Sequence, residues 1–346
     1  PNQLNAWYGC SISTAGDING DGYSDIIIGA ERYDGSLTYD EGAAIVYYGS
    51  ASGLSQNPDW LVTSGQGNSY FGCSVSTAGD VNGDGYSDVI VGAKYWDNPS
   101  YTDEGQAFVY YGSASGLSTT ADWVGKPNYA YSLYGCSVST AGDVNGDGYS
   151  DIIVGAEYRY ISQNREGAAY VYYGSPSGLS TLNWLQSSNV ALARFGNSVS
   201  CAGDVNGDGY SDVVIGAINY TNGEANEGAA YLYLGSKVGL STSPDWMIEG
   251  GQESAEMGCS VASAGDVNGD GFSDLLIGAD RYTNGDAQEG AALLFYGSAS
   301  GFLPSSEIIR EGGQADAQMG NSVAFAGDVN GDGYCDVIVG APYYDN

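Results

Sequence analysis

An acidic stretch of nine residues occurs six times in this chain and is its most informative chemical feature. The copies begin at Asp17, Asp80, Asp143, Asp204, Asp266 and Asp328. Successive copies start 61 to 63 residues apart. Each has Asp at positions 1, 5 and 9 and Asn at position 3. The carboxylate and amide oxygens, with the backbone carbonyl of position 7, are the ligands that Ca²⁺ prefers, and three crowded carboxylates repel one another unless a cation lies between them.

We therefore predict that each loop binds one Ca²⁺ through positions 1, 3, 5, 7 and 9, about six ions per chain. Mg²⁺ suits such a loop less well, because it requires a small octahedron and retains its waters. The predicted ligands are, loop by loop, Asp17, Asn19, Asp21, Tyr23 and Asp25; Asp80, Asn82, Asp84, Tyr86 and Asp88; Asp143, Asn145, Asp147, Tyr149 and Asp151; Asp204, Asn206, Asp208, Tyr210 and Asp212; Asp266, Asn268, Asp270, Phe272 and Asp274; and Asp328, Asn330, Asp332, Tyr334 and Asp336.

Two helical calcium motifs contain similar loops, and the sequence argues against both. An EF-hand requires a bidentate Glu at position 12 and a following helix. Position 12 of the first copy is Ile28, and the β-branched run 26–28 favours a strand. Dockerin modules also continue into helices, and their two copies lie close together. A metal-free Asp-Gly turn could explain one copy but is a poor explanation of six matched ones.

Each loop lies between predicted strands. In the second repeat these are 72–78 before the loop, 89–93 after it, a third strand from about 104 to 111 and a fourth around Trp123. Four strands in a repeating unit of about 62 residues are typical of a β-propeller. We predict one all-β propeller over residues 1–346, with four-stranded antiparallel blades, at least six repeats and an incomplete last one. The predicted blades cover about 9–71, 72–134, 135–195, 196–257, 258–319 and, in part, 320–346.

The two ends of the chain do not coincide with the ends of a blade. The sixth repeat stops at Asn346, after its second predicted strand, and the chain begins at Pro1 rather than Met. We expect a mature or trimmed piece of a polypeptide. We also expect residues outside this span, from the same polypeptide or from a neighbouring molecule, to complete the sixth blade, since unpaired strand edges attract further strands.

Composition restricts the partners. The chain has 42 acidic and 9 basic residues, a net charge of −33 and no histidine. Such acidity argues against nucleic acid and anionic membranes as partners, and no run of 18 apolar residues predicts membrane insertion. Weak calcium sites are filled at millimolar Ca²⁺, which predicts an extracellular or cell-surface location.

Three further sets of residues recur or cluster. Cys10, Cys73, Cys136 and Cys259 occupy one repeat position, where the other repeats have Asn197 and Asn321; we interpret them as small buried hydrophobic residues rather than disulfide partners. The recurring acids Glu41, Glu104, Glu166, Glu227 and Glu289 indicate a structural role, since a catalytic site is normally single. The variable segments between strands two and three carry Tyr33, Tyr39, Tyr95, Trp96, Tyr101, Tyr158, Tyr160, Tyr220 and Tyr282. These aromatic residues either contact a partner or pack the loops.

Over essentially its whole length the sequence resembles the FG-GAP repeat family, the propeller of integrin α subunits and of many bacterial surface proteins. The motifs that carry the resemblance are Phe71-Gly72, Phe195-Gly196, the acidic loops and Gly340-Ala341-Pro342, with degenerate versions at Tyr8-Gly9, Met257-Gly258, Gly29-Ala30 and Gly216-Ala217. The resemblance implies a calcium-binding β-propeller. Integrin propellers usually have seven blades and only some calcium loops, whereas every repeat of this chain has one.

Three functions are compatible with these observations. The first is a non-catalytic extracellular calcium-binding propeller for adhesion or assembly, such as a surface or filament subunit, whose partners are proteins that include copies of itself. The second is a lectin that binds glycans with its tyrosine-rich face. The third, a polysaccharide lyase or hydrolase, is disfavoured because the acids outside the loops recur, so we do not predict an enzyme.

Overall fold

A computed structural model of the chain describes residues 3, 5–35, 38–182, 184–301 and 308–345. Every regular element in these residues is a β-strand. No helix long and apolar enough to cross a membrane occurs in this part of the chain. The predicted fold class is confirmed: five four-stranded antiparallel sheets and one two-stranded sheet form the blades of a β-propeller.

In each sheet, strands that are consecutive in the sequence are hydrogen-bonded to each other. The sheets are, in turn, β1 (Tyr8–Gly16), β2 (Asp25–Ala30), β3 (Ala43–Tyr47) and β4 (Trp60–Thr63); β5 (Phe71–Gly79), β6 (Asp88–Ala93), β7 (Gln106–Tyr110) and β8 (Trp123–Gly125); β9 (Tyr134–Gly142), β10 (Asp151–Ala156), β11 (Ala168–Tyr172) and β12 (Trp184–Gln186); β13 (Phe195–Gly203), β14 (Asp212–Ala217), β15 (Ala229–Tyr233) and β16 (Trp246–Glu249); β17 (Met257–Gly265), β18 (Asp274–Ala279), β19 (Ala291–Phe295) and β20 (Ile308–Glu311); and β21 (Ser322–Gly327) and β22 (Asp336–Gly340).

The chain divides into two compact units. The first comprises Pro1–Thr140, Gly148–Arg159 and Tyr170–Leu185, and the second comprises Ala141–Asp147, Tyr160–Ala169 and Gln186–Asn346. In the first unit, apolar residues of β2 and β3, such as Ile27 and Val46, form one core with Phe71, Val75 and Val91 of the second sheet. The second unit contains an equivalent core between its first two complete sheets. The blades therefore bury their apolar faces against the next repeat, as expected for stacked repeats.

Two glycines of neighbouring repeats set how closely these sheets approach. A Cβ on Gly29, near the end of β2, would lie 1.9 Å from the carbonyl oxygen of Gly72 on β5. Gly72 itself has φ +83°, and a Cβ on it would lie 2.3 Å from the carbonyl oxygen of Ala43. The same contact recurs between Gly92 and Gly135 at 2.0 Å. Only glycine fits at either position, which explains why the sequence repeats a glycine after the aromatic residue and another before the alanine.

Candidate metal centre

The first acidic loop is held in a coil by its own side chains. The backbone amides of Gly20 and Asp21 donate to Oδ1 of Asp17 at 2.8 and 3.1 Å, and that of Gly22 donates to Oδ2 at 2.8 Å. Oδ1 of Asn19 accepts from the amide of Asp21 at 2.9 Å, and Oδ1 of Asp21 accepts from that of Tyr23 at 3.0 Å. Positions 1, 3 and 5 therefore lie on one tight turn of chain. Turns in which Asp and Asn bond to the backbone of residues that follow explain this local fold.

The same bonds recur in the second, fourth, fifth and sixth loops. Their first Asp accepts from the amides of positions 4, 5 and 6 at 2.6 to 3.1 Å. For the third loop, bonds of 2.7 and 3.1 Å join the amides of Gly146 and Asp147 to Asp143. The near-identical loop sequences therefore adopt the same hydrogen-bonded backbone conformation.

Position 9 differs from the other predicted ligands in its burial and in its hydrogen bonds. Asp25, Asp88, Asp151, Asp212 and Asp274 are fully buried. In the first repeat, Oδ2 of Asp25 accepts from the amide of Ile18 at 2.9 Å, and Oδ1 accepts from the amide of Gly49, in the turn between β3 and β4, at 2.8 Å. This carboxylate therefore ties the loop to a turn 24 residues further on.

Burial and crowding act on these position-9 carboxylates. Burial, opposed by two backbone hydrogen bonds and assisted by the charges of Asp84 and Asp80, raises the pKa of Asp88 to about 7. In the same way, burial raises the pKa of Asp212 to about 7 and that of Asp274 to about 6. The loop carboxylates are thus close enough to repel one another, and a divalent cation would relieve that repulsion.

The donor chemistry of the loops fits Ca²⁺, but the side chains are not gathered as a preformed cage. Among the described residues, no group of three or more His, Cys, Asp or Glu side chains lies in an arrangement that could hold a metal ion. Oxygen ligands on a flexible coil are nevertheless the type of donor that Ca²⁺ accepts in variable geometry. Positions 1, 3, 5 and 9, with the carbonyl of position 7, remain the predicted ligands, and the position-9 carboxylate would also keep its bonds to backbone amides.

Adjacent loops are joined in a way that the sequence did not indicate. In the first unit, the amide of Ser87 donates to the carbonyl of Asp17 at 3.0 Å, and the amide of Asp17 donates to Oγ of Ser87 at 3.2 Å. The ring of Tyr86 lies against Gly20, so close that a Cβ there would be 2.7 Å from Cε1. In the second unit, the amide of Ser273 donates likewise to Asp204. The serine at position 8 and the aromatic ring at position 7 are the recurring signals for this contact.

The recurring glutamates have the structural role that their repetition predicts. Glu227 is buried, and its two oxygens accept from the amides of Asn222 and Gly251 at 2.7 and 3.0 Å. Glu289 bonds the amides of Asn284 and Gly313 at 2.8 and 3.0 Å in the same way. Each therefore joins a variable segment to the loop that follows the fourth strand.

Most of the variable-segment aromatic residues pack within the protein. Only Tyr39 and Tyr160 of the predicted set are exposed, at 80% and 47%. Trp96 contacts Phe108 edge to face, with ring centroids 5.3 Å apart, and Tyr220 similarly lies 6.1 Å from Tyr231. The structure thus favours packing over a continuous tyrosine contact surface.

The recurring cysteines are thiols rather than disulfide partners, as predicted, and their position is also a hydrogen-bond donor position. The predicted burial does not hold for Cys10. Cys10 is exposed at the surface. Its Sγ donates to the carbonyl of Gly72 at 3.5 Å, and Cys73 donates to Gly135 at 3.4 Å. Nδ2 of Asn197 makes the equivalent bond to Gly258 at 3.1 Å. A shared donor role explains why Asn replaces Cys here, and burial raises the pKa of the Cys73 thiol to about 12.

Comparison with known proteins identifies the repeats. The FG-GAP repeat matches residues 11–47, 71–110, 136–172, 260–295 and 319–346, together more than half of the chain, and the FG-GAP-like repeat matches residues 204–277. Similar proteins include integrin alpha-4 of Xenopus laevis, 33% identical over 61% of this chain and 20% of that protein, and integrin alpha pat-2 of Caenorhabditis elegans, 33% identical over 60% and 18%. Integrin alpha-6 of Homo sapiens is 36% identical over 40% of this chain and 12% of its own length. The chain thus spans about a fifth or less of the length of these relatives.

Proposed function

Because the chain belongs to the FG-GAP repeat family, we propose that it is a non-catalytic, calcium-binding extracellular β-propeller that serves adhesion or assembly. The observation that carries this proposal is the repeated coil of oxygen ligands, in which the first Asp of a loop is oriented by three backbone amides. A residue oriented in this way loses little side-chain freedom when it binds an ion. The integrin alpha relatives support an adhesive role with protein partners.

Calcium titration of the full chain by isothermal calorimetry tests the metal part. We expect several ions per chain, with fewer after Asp80→Asn and no change after Glu253→Gln, which removes an equal charge from an exposed acid outside the loops. Two or fewer ions, or equal loss from both variants, would contradict the proposal.

Exposed blade faces support the assembly part. Ile12 on β1 is 63% exposed, whereas its equivalents Val75 and Val138 are 4% exposed because the preceding blade covers them. At the other end of the repeats, Ile338 on β22 is 62% exposed, whereas its equivalent Leu276 is 2% exposed. Within each compact unit, the neighbouring blade covers apolar faces of this kind, so we propose that a further repeat of the same type, from the same polypeptide or a neighbouring molecule, covers Ile12 and Ile338.

Light scattering and electron microscopy test assembly separately from calcium binding. We expect concentration-dependent association of the full chain in millimolar calcium. A monodisperse monomer at all concentrations, with Ile12 and Ile338 accessible to solvent, would refute assembly but leave the metal proposal unaffected.

A further inference from the structure

A groove lies along the outer edge of the second sheet, within the first compact unit. It has a volume of about 500 Å³. Its wall on the strand side is formed by Trp123, Gly125 and Lys126, and its other wall includes Ser180 and Leu182 in the turn between β11 and β12. Tyr172 also lines the groove, with its ring edge to face with that of Trp123 at 4.8 Å between centroids. None of the acidic loops contributes to its lining, so the groove is distinct from the candidate metal centre.

Two local changes in sequence open this groove, one on each wall. Two residues after the repeated Trp, the other complete repeats carry Val62, Gln186 or Ile248, but this strand carries Gly125. The chain from the turn glycine to the next Trp is also one residue shorter at 174–184 than at 112–123 or 235–246. A side chain is therefore lost from one wall and a residue from the other, at the same place.

The side chain of Trp123 lies differently from that of Trp60, the equivalent residue of the preceding repeat. Its indole ring leans over Gly125, so that a Cβ on that glycine would lie 2.3 Å from Cη2 of the ring. In the preceding repeat, Nε1 of Trp60 donates to the carbonyl of Ser118 at 2.8 Å and the side chain is 6% exposed. Trp123 is half-buried, and its Nε1 has no hydrogen-bond partner among the described residues. The groove thus presents an aromatic surface with an unused N–H donor, a combination that suits an amphipathic ligand.

The charge of the residues that line the groove indicates the class of ligand. The chain has 42 acidic residues, yet none of the twelve residues that line the groove is acidic, and one of them is Lys126. The other repeats have Thr63, Ser187 or Glu249 at the position of Lys126. A ligand that fits would carry hydrogen-bond acceptors, an anionic group and an apolar face.

We propose that this groove binds the acidic pyranose of a saccharide, such as a hexuronate. The apolar face of the sugar ring would lie on the indole of Trp123, and its carboxylate would pair with Lys126. The N–H of Nε1, which lies in the plane of the indole, would donate to a hydroxyl of the next sugar of the saccharide. A peptide added as an extra strand fits less well, because the edge strand β8 is only three residues long, Trp123–Gly125. The proposal stands on the groove alone and does not depend on calcium binding or assembly.

Nuclear magnetic resonance of the full chain in calcium tests the proposal. The chain has six tryptophans, and Trp123→Phe identifies the indole signal of Trp123. We expect methyl β-D-glucuronide to shift that signal with a Kd at least tenfold lower than that of methyl β-D-glucoside. Lys126→Gln should abolish this preference, whereas Lys237→Gln, which removes an exposed lysine elsewhere, should not change it.

Gly125→Val tests the groove itself, because it restores the residue type of the first repeat. We expect it to displace the Trp123 ring and prevent the glucuronide-induced shift. A Cβ there would also lie 2.6 Å from the hydroxyl of the buried Tyr134, so a melting curve accompanies the titration, and Lys126→Gln, which leaves the core intact, decides should this variant not fold. The proposal is overturned if neither sugar shifts the Trp123 signal, if both bind equally, or if an acidic peptide such as Ala-Glu-Ala shifts it as strongly as the glucuronide.

Discussion

Replacing Asp274 by Asn is expected to destabilise the protein even when calcium is absent. The Asp274 carboxylate is fully buried and accepts from the amides of Val267 and Gly297 at 2.8 and 2.9 Å. An Asn side chain has one oxygen, so it can accept one of these bonds and must turn its NH₂ group toward the other amide. A lost hydrogen bond to a charged group costs about 1.5–3 kcal/mol, and leaving a buried amide without an acceptor is the expensive part.

The sixth repeat provides a matched control in the same compact unit. Asp336 occupies the equivalent position but is half-buried, and it accepts one described amide, that of Val329, at 2.9 Å. The single oxygen of an Asn side chain can still accept this one hydrogen bond. We therefore expect Asp336→Asn to cost below about 1 kcal/mol, compared with about 2 kcal/mol for Asp274→Asn.

Calorimetric melting in EDTA at pH 8 measures both variants without the contribution of calcium. At this pH the Asp274 carboxylate is charged, since burial raises its pKa only to about 6. A loss of about 2 kcal/mol should lower the melting temperature by roughly 4–8 °C. Equal shifts for both variants, or no shift for Asp274→Asn, would refute the structural role of position 9 and leave metal binding as the reason for its repetition.

Three further outcomes follow from the same contacts. EDTA should lower the melting temperature by more than roughly ten degrees, because each site stabilises the folded state by about 2.7 kcal/mol when calcium is 100-fold above Kd; a melting curve unchanged by EDTA would contradict this. Gly92→Ala should lower the free energy of unfolding, measured in urea, by about 1–3 kcal/mol or more, because its Cβ would lie 2.0 Å from the carbonyl oxygen of Gly135. Gly340→Ala should leave it nearly unchanged, because the nearest atom to its Cβ is 3.6 Å away. Ile12→Asp should reduce self-association in light scattering without altering the melting temperature, whereas Val75→Asp, at a 4% exposed site, should unfold the protein; loss of folding in both would contradict the proposed contact face.

Much of the fold could be predicted from the repeated pattern. The second strand of the second repeat was predicted at 89–93 and is found at Asp88–Ala93, and the fourth was predicted around Trp123 and is found at Trp123–Gly125. Apolar β-branched runs beside a glycine-rich loop leave few alternatives to a strand. Repetition then shows the boundaries of the first two strands six times and those of the last two strands five times, which single-copy proteins do not provide.

The roles of individual site residues were harder to predict. All three Asp of a loop have the same side chain, but in the first loop, among the described residues, the side chain of position 9 is the one that bonds to an amide beyond the loop, that of Gly49. That partner is 24 residues away in the sequence. In a repeated sequence any two positions of the repeat keep the same separation, so the repetition alone cannot indicate which positions contact each other. The replacement of Cys by Asn197 did contain a usable signal, since the two share a donor group and little else.

The contacts between neighbouring loops suggest why the acidic sequence varies so little along the chain. The carbonyl of Asp17, a predicted ligand residue, accepts the amide of Ser87, and the next carbonyl, that of Ile18, accepts the amide of Ser113 in the following repeat. The backbone that positions one loop is therefore held by the next one. A substitution that alters the coil of one loop would displace two backbone acceptors on which the next repeat depends, and an ion that fixes one coil would stabilise its neighbour through the same two bonds. Stability in such an array is the sum of the stability of each repeat and of its junctions, so a near-constant loop sequence follows from its position at the junction as well as from the proposed calcium site.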